Sequence, residues 1–258
     1  MKVGVLGAMP HEVDIIREQM TDITTKTLGN RDYYCGKINH VDVVLVFSRC
    51  GKVAAAATVS ALITEMKVTH IIFTGVAGAV SPELNIGDIV ISKKLYQHDM
   101  DARPLFPRYE IPLMTMIDFH ADVALIEKAQ AACEKLLQCP TAVVSRNALK
   151  EFGIDNPKVM TGTITSGDQF MANSEQTQDM FKNRPDTLAV EMEGAAVAQV
   201  CVDYQIPFVV IRTISDRANH ESPIDFPSFL ERIAFHYAQA IIYHFFSFVK
   251  KEERNTQA

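Results

Sequence analysis

Short apolar segments alternate with helix-forming segments along almost the whole chain, and this alternation limits the fold more than any other feature. In the helix-forming segments, apolar residues recur at helical spacing or form alanine-rich runs. This order predicts an α/β protein with helices on both faces of one sheet. Extended, mostly apolar segments fall at 2–8, 42–49, 70–75, 87–99, 158–170, 187–193 and 207–216. Helices are predicted from Pro10, at 53–66, near 120–137, from about 174, at 194–204 and at roughly 227–249.

The 258-residue chain shows no internal repeat, no linker and no shift in composition, so a single domain is expected. Its expected bounds are 1–250, followed by a solvated tail of mixed charge at 251–258. The apolar stretch 241–249 is too short to span a membrane and predicts a helix facing the core. With a net charge of −6 and no basic block, neither nucleic acid nor an anionic membrane is an expected partner.

The five cysteines are odd in number and lack C-x-x-C spacing, which argues against a disulfide framework and against a zinc site. A reducing compartment, the cytoplasm, fits this cysteine usage. The eight histidines show no metal-binding spacing such as H-E-x-x-H. The chain also has neither G-x-G-x-x-G nor a P-loop, so the sequence predicts no metal and no nucleotide cofactor.

Polar side chains collect where four of the predicted strands end, the place where α/β sheets bind ligands. Glu12 lies just beyond the first strand, and the glycine-rich turn 74–78 follows another. Glu191 and Glu193 close a third strand, and Asp216 closes a fourth. The sequence therefore predicts a polar site built from segments far apart in the chain.

Each of these acids also has a structural interpretation. Glu12 could complement a helix dipole in a first turn, and Glu193 could be a helix N-terminal acid before Gly194. Asp216 could be an N-cap residue. Arg212 is harder to explain in this way, because an arginine inside an apolar strand needs an acid or a strongly polar ligand.

His98 and Asp99 follow the predicted strand that begins at Gly87 and could form a histidine–carboxylate pair. No serine or cysteine nucleophile motif accompanies them. A structural turn is therefore the preferred interpretation of this dipeptide.

Seven motifs in order resemble those of the 5′-methylthioadenosine/S-adenosylhomocysteine nucleosidase family, within the nucleoside phosphorylase superfamily. The resemblance runs from residue 2 to about 230 and implies a central mixed, twisted β-sheet of the nucleoside phosphorylase type. E-M-E-G followed about twenty residues later by I-S-D is the most specific part. The motifs are G-A-M-x-x-E-V at 7–13, G-K-V at 51–53, T-G-V-A-G at 74–78, G-D-I-V at 87–90, S-G-D-Q-F at 166–170, V-E-M-E-G at 190–194 and R-T-I-S-D at 212–216.

The resemblance implies a role for each acid. Glu12 would orient and deprotonate the attacking water, and Arg212 would help to position that water. Asp216, supported by Ser215, would donate a proton to adenine N7. Glu193 would hold the ribose hydroxyls.

The resemblance also implies a set of residues that bind the nucleoside. Phe170 would stack on adenine, the backbone of Met171 would read the edge of the base, and Met192 would pack beneath the sugar. The pocket for the 5′-substituent would be lined by Met9, Cys50 and Phe226. Further expected binding residues are Val76, Ala77, Gly78 and Glu191.

The implied reaction is hydrolysis of the N-glycosidic bond of 5′-methylthioadenosine, S-adenosylhomocysteine and 5′-deoxyadenosine, without a cofactor. Adenine leaves poorly as an anion, so a carboxylic acid at N7 is worth about 10²–10⁴-fold in rate. The sugar then gains oxocarbenium character, which anionic Glu12 and Glu193 would stabilise. A protonated Asp216 beside ionised glutamates requires environments that separate the carboxyl pKa values.

Three features depart from the family pattern. Val76 stands where some relatives have a serine, and Cys50 replaces a branched aliphatic residue of the 5′ pocket. The proline-rich loop 103–114 also differs from the usual version. In the family this loop helps to cover the neighbouring subunit's pocket, so a homodimer is expected, with Phe106 and Pro112 as candidates for that contact.

Three alternatives stay open at this stage. A purine nucleoside phosphorylase needs cationic or hydroxyl groups for phosphate, whereas this chain has Phe73 and Val76 at two such places and the acidic Glu12 at a third. A non-catalytic nucleoside-binding protein could lack Glu12 or Asp216, but both are present. A hydrolase acting on aminofutalosine in menaquinone synthesis can be separated only by substrate competition.

Overall fold

The computed structural model describes residues 1–171, 174–217 and 222–256. Within these ranges the chain forms strands at β1 Lys2–Gly7, β2 Thr21–Leu28, β3 Arg31–Ile38, β4 Val41–Phe47, β5 His70–Ala79, β6 Ile89–Gln97, β7 Phe119–His120, β8 Val159–Ser166, β9 Thr187–Glu191 and β10 Phe208–Asp216. The α-helices are α1 Pro10–Arg17, α2 Lys52–Thr64, α3 Val123–Leu137, α4 Arg146–Glu151, α5 Ser174–Asn183, α6 Gly194–Asp203, α7 Ser222–Phe229 and α8 Phe235–Thr256.

All ten strands belong to one mixed sheet, part of which closes on itself. β5 pairs with β10, β10 with β6, β6 with β8, β8 with β9, and β9 again with β5. The β10–β6 and β5–β9 pairings are antiparallel, whereas β5–β10, β6–β8 and β8–β9 are parallel. β1, β4, β3 and β2 extend the sheet from the other side of β5. This closure brings together the ends of β5, β9 and β10, which would lie apart in an open sheet.

Helices cover both faces of the sheet, as the strand and helix pattern predicts. Alternate residues of β1 point to opposite faces, because the side chains of a strand have a period of two. Val3 and Val5 pack in a core that contains residues of α1, α3 and α8, whereas Leu6 packs in a second core with α2 and α6. The predicted α/β fold is thus confirmed.

The hairpin formed by β2 and β3 has no counterpart in the sequence prediction. Nearly all of β2 is exposed, so its sequence carries no alternation of apolar and polar residues. Gly29 and Asn30 connect the two strands with φ angles of 56° and 57°. Two consecutive positive φ angles are the geometry of a tight hairpin turn. In the sequence, the Gly29–Asn30 pair was the feature that could have indicated this hairpin.

The C-terminal helical region is also more complex than one helix at 227–249. Two α-helices, α7 and α8, are joined by a π-helical turn at Leu230–Ala234. None of the helices in the described part of the chain combines the length and the apolar character needed to cross a membrane.

Candidate active site

The end of β5 is the centre of the candidate site. Gly78 pairs with Asp216 of β10 on one side and with Val190 of β9 on the other. The pairing of β10 with β5 shifts register between Ile214 and Asp216, which re-aims the last residues of β10 as β-bulges do. The Ser215–Asp216 and Glu191–Glu193 segments, about 25 residues apart in the chain, therefore flank the same glycine.

A cavity of about 230 Å³ opens at this point. It is lined mainly by apolar atoms, and two of its three acidic lining residues are the predicted catalytic acids Glu193 and Asp216. The other predicted residues that line it are Met9, Cys50, Val76, Ala77, Gly78, Phe170, Met171, Glu191, Met192, Ser215 and Phe226. Three lining residues had no predicted role: Ala8, Gln169 and Val190.

Glu12 lies beside this cavity, next to two of its lining residues. Together with Met9 and Val76 it lines a small adjoining space. Its carboxylate accepts hydrogen bonds from Thr74 Oγ1 at 2.6 Å and from the backbone N–H of Ala8 at 2.8 Å. Burial raises the pKa of Glu12, although these hydrogen bonds and the nearby Arg212 oppose the rise. A raised pKa makes Glu12 a stronger base than a solvated glutamate.

Arg212 pairs with an acid, as its place in an apolar strand requires. Its guanidinium is fully buried and donates to Glu191 Oε2 at 2.7 Å. It also donates to the backbone carbonyls of Phe73 and Ile211, both at 3.2 Å. Arg212 is not among the residues that line the cavity. Its predicted role in positioning the water therefore does not involve a group on the cavity wall.

We expect Arg212→Met to destabilise the fold by about 3–5 kcal/mol, because it would leave Glu191 as a buried charge without its cation. Urea unfolding followed by circular dichroism would measure the change. The control is Arg232→Met, which breaks an ion pair with Glu151 whose side chains are largely exposed. The free energy of unfolding of that variant should fall by less than about 1 kcal/mol. Equal losses in the two variants would contradict the importance of the buried pair.

The two glutamates of the E-M-E segment have separate functions in the fold. Glu191 accepts hydrogen bonds from the backbone N–H groups of Glu193 and Gly194, so it satisfies the N-terminus of α6. Glu193 makes no capping hydrogen bond and instead accepts the N–H of Gly51 at 2.8 Å. Burial and the neighbouring Glu191 raise the pKa of Glu193 to about 7. The structural role proposed for Glu193 thus belongs to Glu191, which leaves Glu193 available to the cavity.

Asp216 is a buried acid that lines the same cavity as Glu193. Ser215 Oγ donates a hydrogen bond to Asp216 Oδ2 at 2.7 Å, which fixes the carboxyl group at the end of β10. The pair is thus arranged as the sequence motif suggests.

Two aromatic rings form the outer wall of the cavity. Phe170 and Phe226 meet edge to face with ring centroids 6.0 Å apart. Phe170 is 50% exposed, so one face of its ring is open to a planar ligand. Met171, the next residue, is buried and also lines the cavity.

The loop 103–114 and the His98–Asp99 dipeptide take no part in the cavity wall. Phe106 and Pro112 do not line the cavity. Asp99 binds Lys52 Nζ and the N–H of Asp168 and forms no hydrogen bond with His98 among the described residues. The interpretation of His98–Asp99 as a structural turn is therefore the better one.

The arrangement suits a planar, uncharged ligand with hydroxyl groups. The described lining residues include no lysine or arginine, and three of them carry a carboxyl group: Glu191, Glu193 and Asp216. Over the described ranges, no three histidine, cysteine or acidic side chains gather in a way that could hold a metal ion.

Comparison with known proteins defines the class first. The family model of the phosphorylase superfamily matches residues 2–246. The mixed sheet and the cavity at the end of β5 thus belong to a member of that superfamily.

Individual relatives show which family within the superfamily the chain belongs to. A 5′-methylthioadenosine/S-adenosylhomocysteine nucleosidase of Shewanella denitrificans is 38% identical over 244 residues, which are 94% of this chain and 97% of the relative. The solved structure of such a nucleosidase from Colwellia psychrerythraea, in complex with adenine, is 35% identical with a TM-score of 0.84 and covers 96% and 95% of the two chains. The chain therefore belongs to the 5′-methylthioadenosine/S-adenosylhomocysteine nucleosidase family. A futalosine hydrolase structure from Helicobacter pylori is also similar, at 29% identity and a TM-score of 0.79, covering 95% and 97%.

Proposed function

We propose that the chain hydrolyses the N-glycosidic bond of 5′-methylthioadenosine and S-adenosylhomocysteine, and also of 5′-deoxyadenosine. Adenine and the 5-substituted ribose are the products. The observation that carries this proposal is the grouping of three acids from distant segments: Glu193 and Asp216 line one cavity with an aromatic wall, and Glu12 lines a small space that adjoins it.

The proposed mechanism divides the work among the three acids. Asp216 donates a proton to adenine N7, so that the base leaves as a neutral molecule. Glu12 accepts a proton from the attacking water, and its burial and raised pKa support this use as a base. Glu193 accepts hydrogen bonds from the ribose hydroxyls and, when ionised, stabilises the positive charge on the sugar.

The binding contacts follow from the lining of the cavity. Adenine stacks on Phe170, the backbone of Met171 contacts its edge, and Met192 packs beneath the ribose. Cys50 and Phe226, with Met9, contact the 5′-substituent, for which a mainly apolar wall is suitable.

Phosphorolysis is disfavoured by the same geometry. A phosphate dianion needs several cationic or hydroxyl donors that converge on its oxygens. Arg212, the nearby cation, is fully buried and bound to Glu191, and the acidic Glu12 beside the cavity would repel an anion. Water is therefore the proposed nucleophile.

The experiment is adenine release from each candidate nucleoside, with and without phosphate. We expect release from 5′-methylthioadenosine, S-adenosylhomocysteine and 5′-deoxyadenosine at a rate that phosphate leaves unchanged. Strict dependence on phosphate would identify a phosphorylase. Aminofutalosine belongs in the same assay, because a much higher kcat/KM for it would assign the chain to the other hydrolase activity seen among similar structures.

We also propose a homodimer, supported by exposed apolar side chains on α2 and on the loop 103–114. Val53, Leu105 and Leu113 are 82%, 83% and 87% exposed. Exposed apolar side chains mark an interface where they form one contiguous patch, as the proposed dimer requires of these residues. In the dimer, the loop would bring Phe106 and Pro112 to the 5′ pocket of the neighbouring subunit.

Sedimentation velocity at micromolar concentration should show a dimer, and Leu113→Asp should shift it toward the monomer. The control is Tyr243→Asp on α8, which also replaces a large exposed side chain by a charge. It should leave the dimer intact. An unchanged dimer in Leu113→Asp would remove this loop residue from the interface.

The cytoplasm is the proposed location, supported by five cysteines that are all free thiols. Removal of adenine from methylthioadenosine leaves a sugar that carries the methylthio group, so a place in methionine salvage is proposed for the reaction.

A further inference from the structure

Three residues from distant parts of the chain form a closed ring of hydrogen bonds beside the cavity. Lys52, the first residue of α2, donates its backbone N–H to Asp168 Oδ1 at 2.7 Å and its Nζ to Asp99 Oδ1 at 2.6 Å. Asp99 Oδ2 in turn accepts the N–H of Asp168 at 3.0 Å. The ring thus joins the start of α2 to the segments that follow β6 and β8.

Two of the three segments held by the ring, the start of α2 and the segment after β8, carry groups of the candidate active site. Gly51, next to Lys52, donates the N–H that Glu193 accepts. Asp168 lies two residues before Phe170, the proposed adenine wall. Movement of the ring would therefore displace the ribose-binding and adenine-binding sides of the cavity relative to each other.

Gly51 lies close to Asp168 of the ring, in a backbone conformation that favours glycine. Gly51 has a φ of +90°, and a Cβ placed on it would lie 3.1 Å from Asp168 Oδ1. A side chain at this position would be strained by the backbone and would press on the aspartate. The glycine therefore lets the start of α2 approach Asp168 closely, while the next N–H, that of Lys52, binds Asp168 directly.

The ring is partly shielded from solvent. The side chains of Lys52 and Asp99 are 17% and 23% exposed. Although burial opposes it, the hydrogen bonds from Lys52 and from the Asp168 N–H lower the pKa of Asp99. Asp99 is thus held as an anion that binds both other members of the ring at once.

We propose that Lys52 and Asp99 are positioning residues of the nucleoside site, which fix the Phe170 segment against the Gly51–Glu193 contact. The proposal rests on the function proposed above. Neither side chain lines the cavity, so both act through the backbone at Gly51 and Asp168.

The test uses Lys52→Met and Asp99→Asn, with 5′-methylthioadenosine as substrate and adenine as a binding probe. In each variant we expect kcat/KM to fall and the adenine Kd from calorimetry to rise, both about tenfold, because small displacements of contact groups are costly. Glu193 would also lose part of its hydrogen bond from Gly51, which favours its anion. The acidic limb of kcat/KM against pH should therefore move to higher pH.

Lys94→Met is the matched control. Lys94 lies on β6, pairs with Asp118 at 3.0 Å and has a side chain 24% exposed. It should lose as much thermal stability as Lys52→Met, with the adenine Kd and the pH profile unchanged. If both lysine variants change Tm equally and neither changes Kd or the profile, the ring is only structural and the proposal is wrong.

A double-mutant cycle tests whether the two residues act through one ring. Lys52→Met/Asp99→Asn should be no worse than the poorer single variant, since either change opens the ring. Losses that multiply would overturn the proposal. If Lys52→Met does not fold, the two single variants Asp99→Asn and Lys52→Arg supply the same readouts. Lys52→Arg keeps the positive charge, so it should retain most of the wild-type affinity for adenine.

Adenine binding separates this proposal from the proposed function. A wild-type chain that binds adenine and releases none from any nucleoside would contradict the hydrolase function. The ring would still be judged by the change in adenine Kd in the variants.

Discussion

Asp216→Asn is expected to lower kcat for 5′-methylthioadenosine about 10²–10⁴-fold, the usual value of general acid catalysis. Asparagine keeps the shape of the side chain and can still accept the hydrogen bond from Ser215. It has no carboxylic proton to transfer, so adenine would have to leave as an anion. Adenine release measures the loss, and an unchanged adenine Kd shows that the cavity is intact.

A substrate with a better leaving group makes this test specific. A 5-methylthioriboside of nitrophenol expels a stable anion and needs no protonation at the base. On this substrate Asp216→Asn should lose less than about tenfold, whereas Glu12→Gln, which affects the water, should lose similar factors on both substrates. Equal losses of Asp216→Asn on the two substrates would remove it from the role of acid.

The sequence locates the acids at strand ends but does not divide the roles of Glu191 and Glu193. Residues two apart share a face only while the strand continues. β9 ends at Glu191, so the chain turns between the two carboxylates. Glu191 then binds Arg212 and the start of α6, and Glu193 reaches Gly51 across the cavity. Local pattern alone could not decide this, since it depends on where pairing with β8 stops.

The closure of the sheet also lies beyond what the sequence pattern can predict. Alternating strands and helices suggest parallel strands whose carboxyl ends share one edge. β9 instead runs antiparallel to β5, and it reaches the site because Gly78 and Ala79 extend β5 far enough to pair with it. Such register is set by contacts between residues more than 100 positions apart, which no local window contains.

The expected charges are the least predictable part of the site. The mechanism needs Glu12 and Glu193 as anions, whereas burial raises the pKa of both carboxyl groups. Residue types at strand ends show which groups can ionise, but the pKa depends on the depth of the cavity and on neighbours such as Glu191.

Glu193→Gln is expected to lower kcat/KM on the order of 10²-fold, through loss of the negative charge beside the sugar. Glutamine can still accept the N–H of Gly51 and a ribose hydroxyl hydrogen, so the change removes charge more than contact. Adenine release measures the loss, with Glu175→Gln on the exposed surface of α5 as the control for the same substitution. Undiminished turnover in Glu193→Gln would contradict the proposed electrostatic role.

The same variant should be more stable than the wild type at neutral and higher pH. Burial and Glu191 raise the pKa of Glu193 from 4.5 to about 7 in the folded protein. Between these values the folded state binds one more proton than the unfolded state, so the stability of the wild type falls as pH rises through this window. Above it, the ionised carboxylate costs up to about 3 kcal/mol, which glutamine does not incur. Urea unfolding should therefore show a gain for Glu193→Gln at pH 8 that shrinks toward pH 5, and a gain independent of pH would disprove this linkage. The opposite signs expected for activity and stability follow from a single cause, which is a buried carboxylate kept in a mainly apolar cavity because the reaction needs its charge.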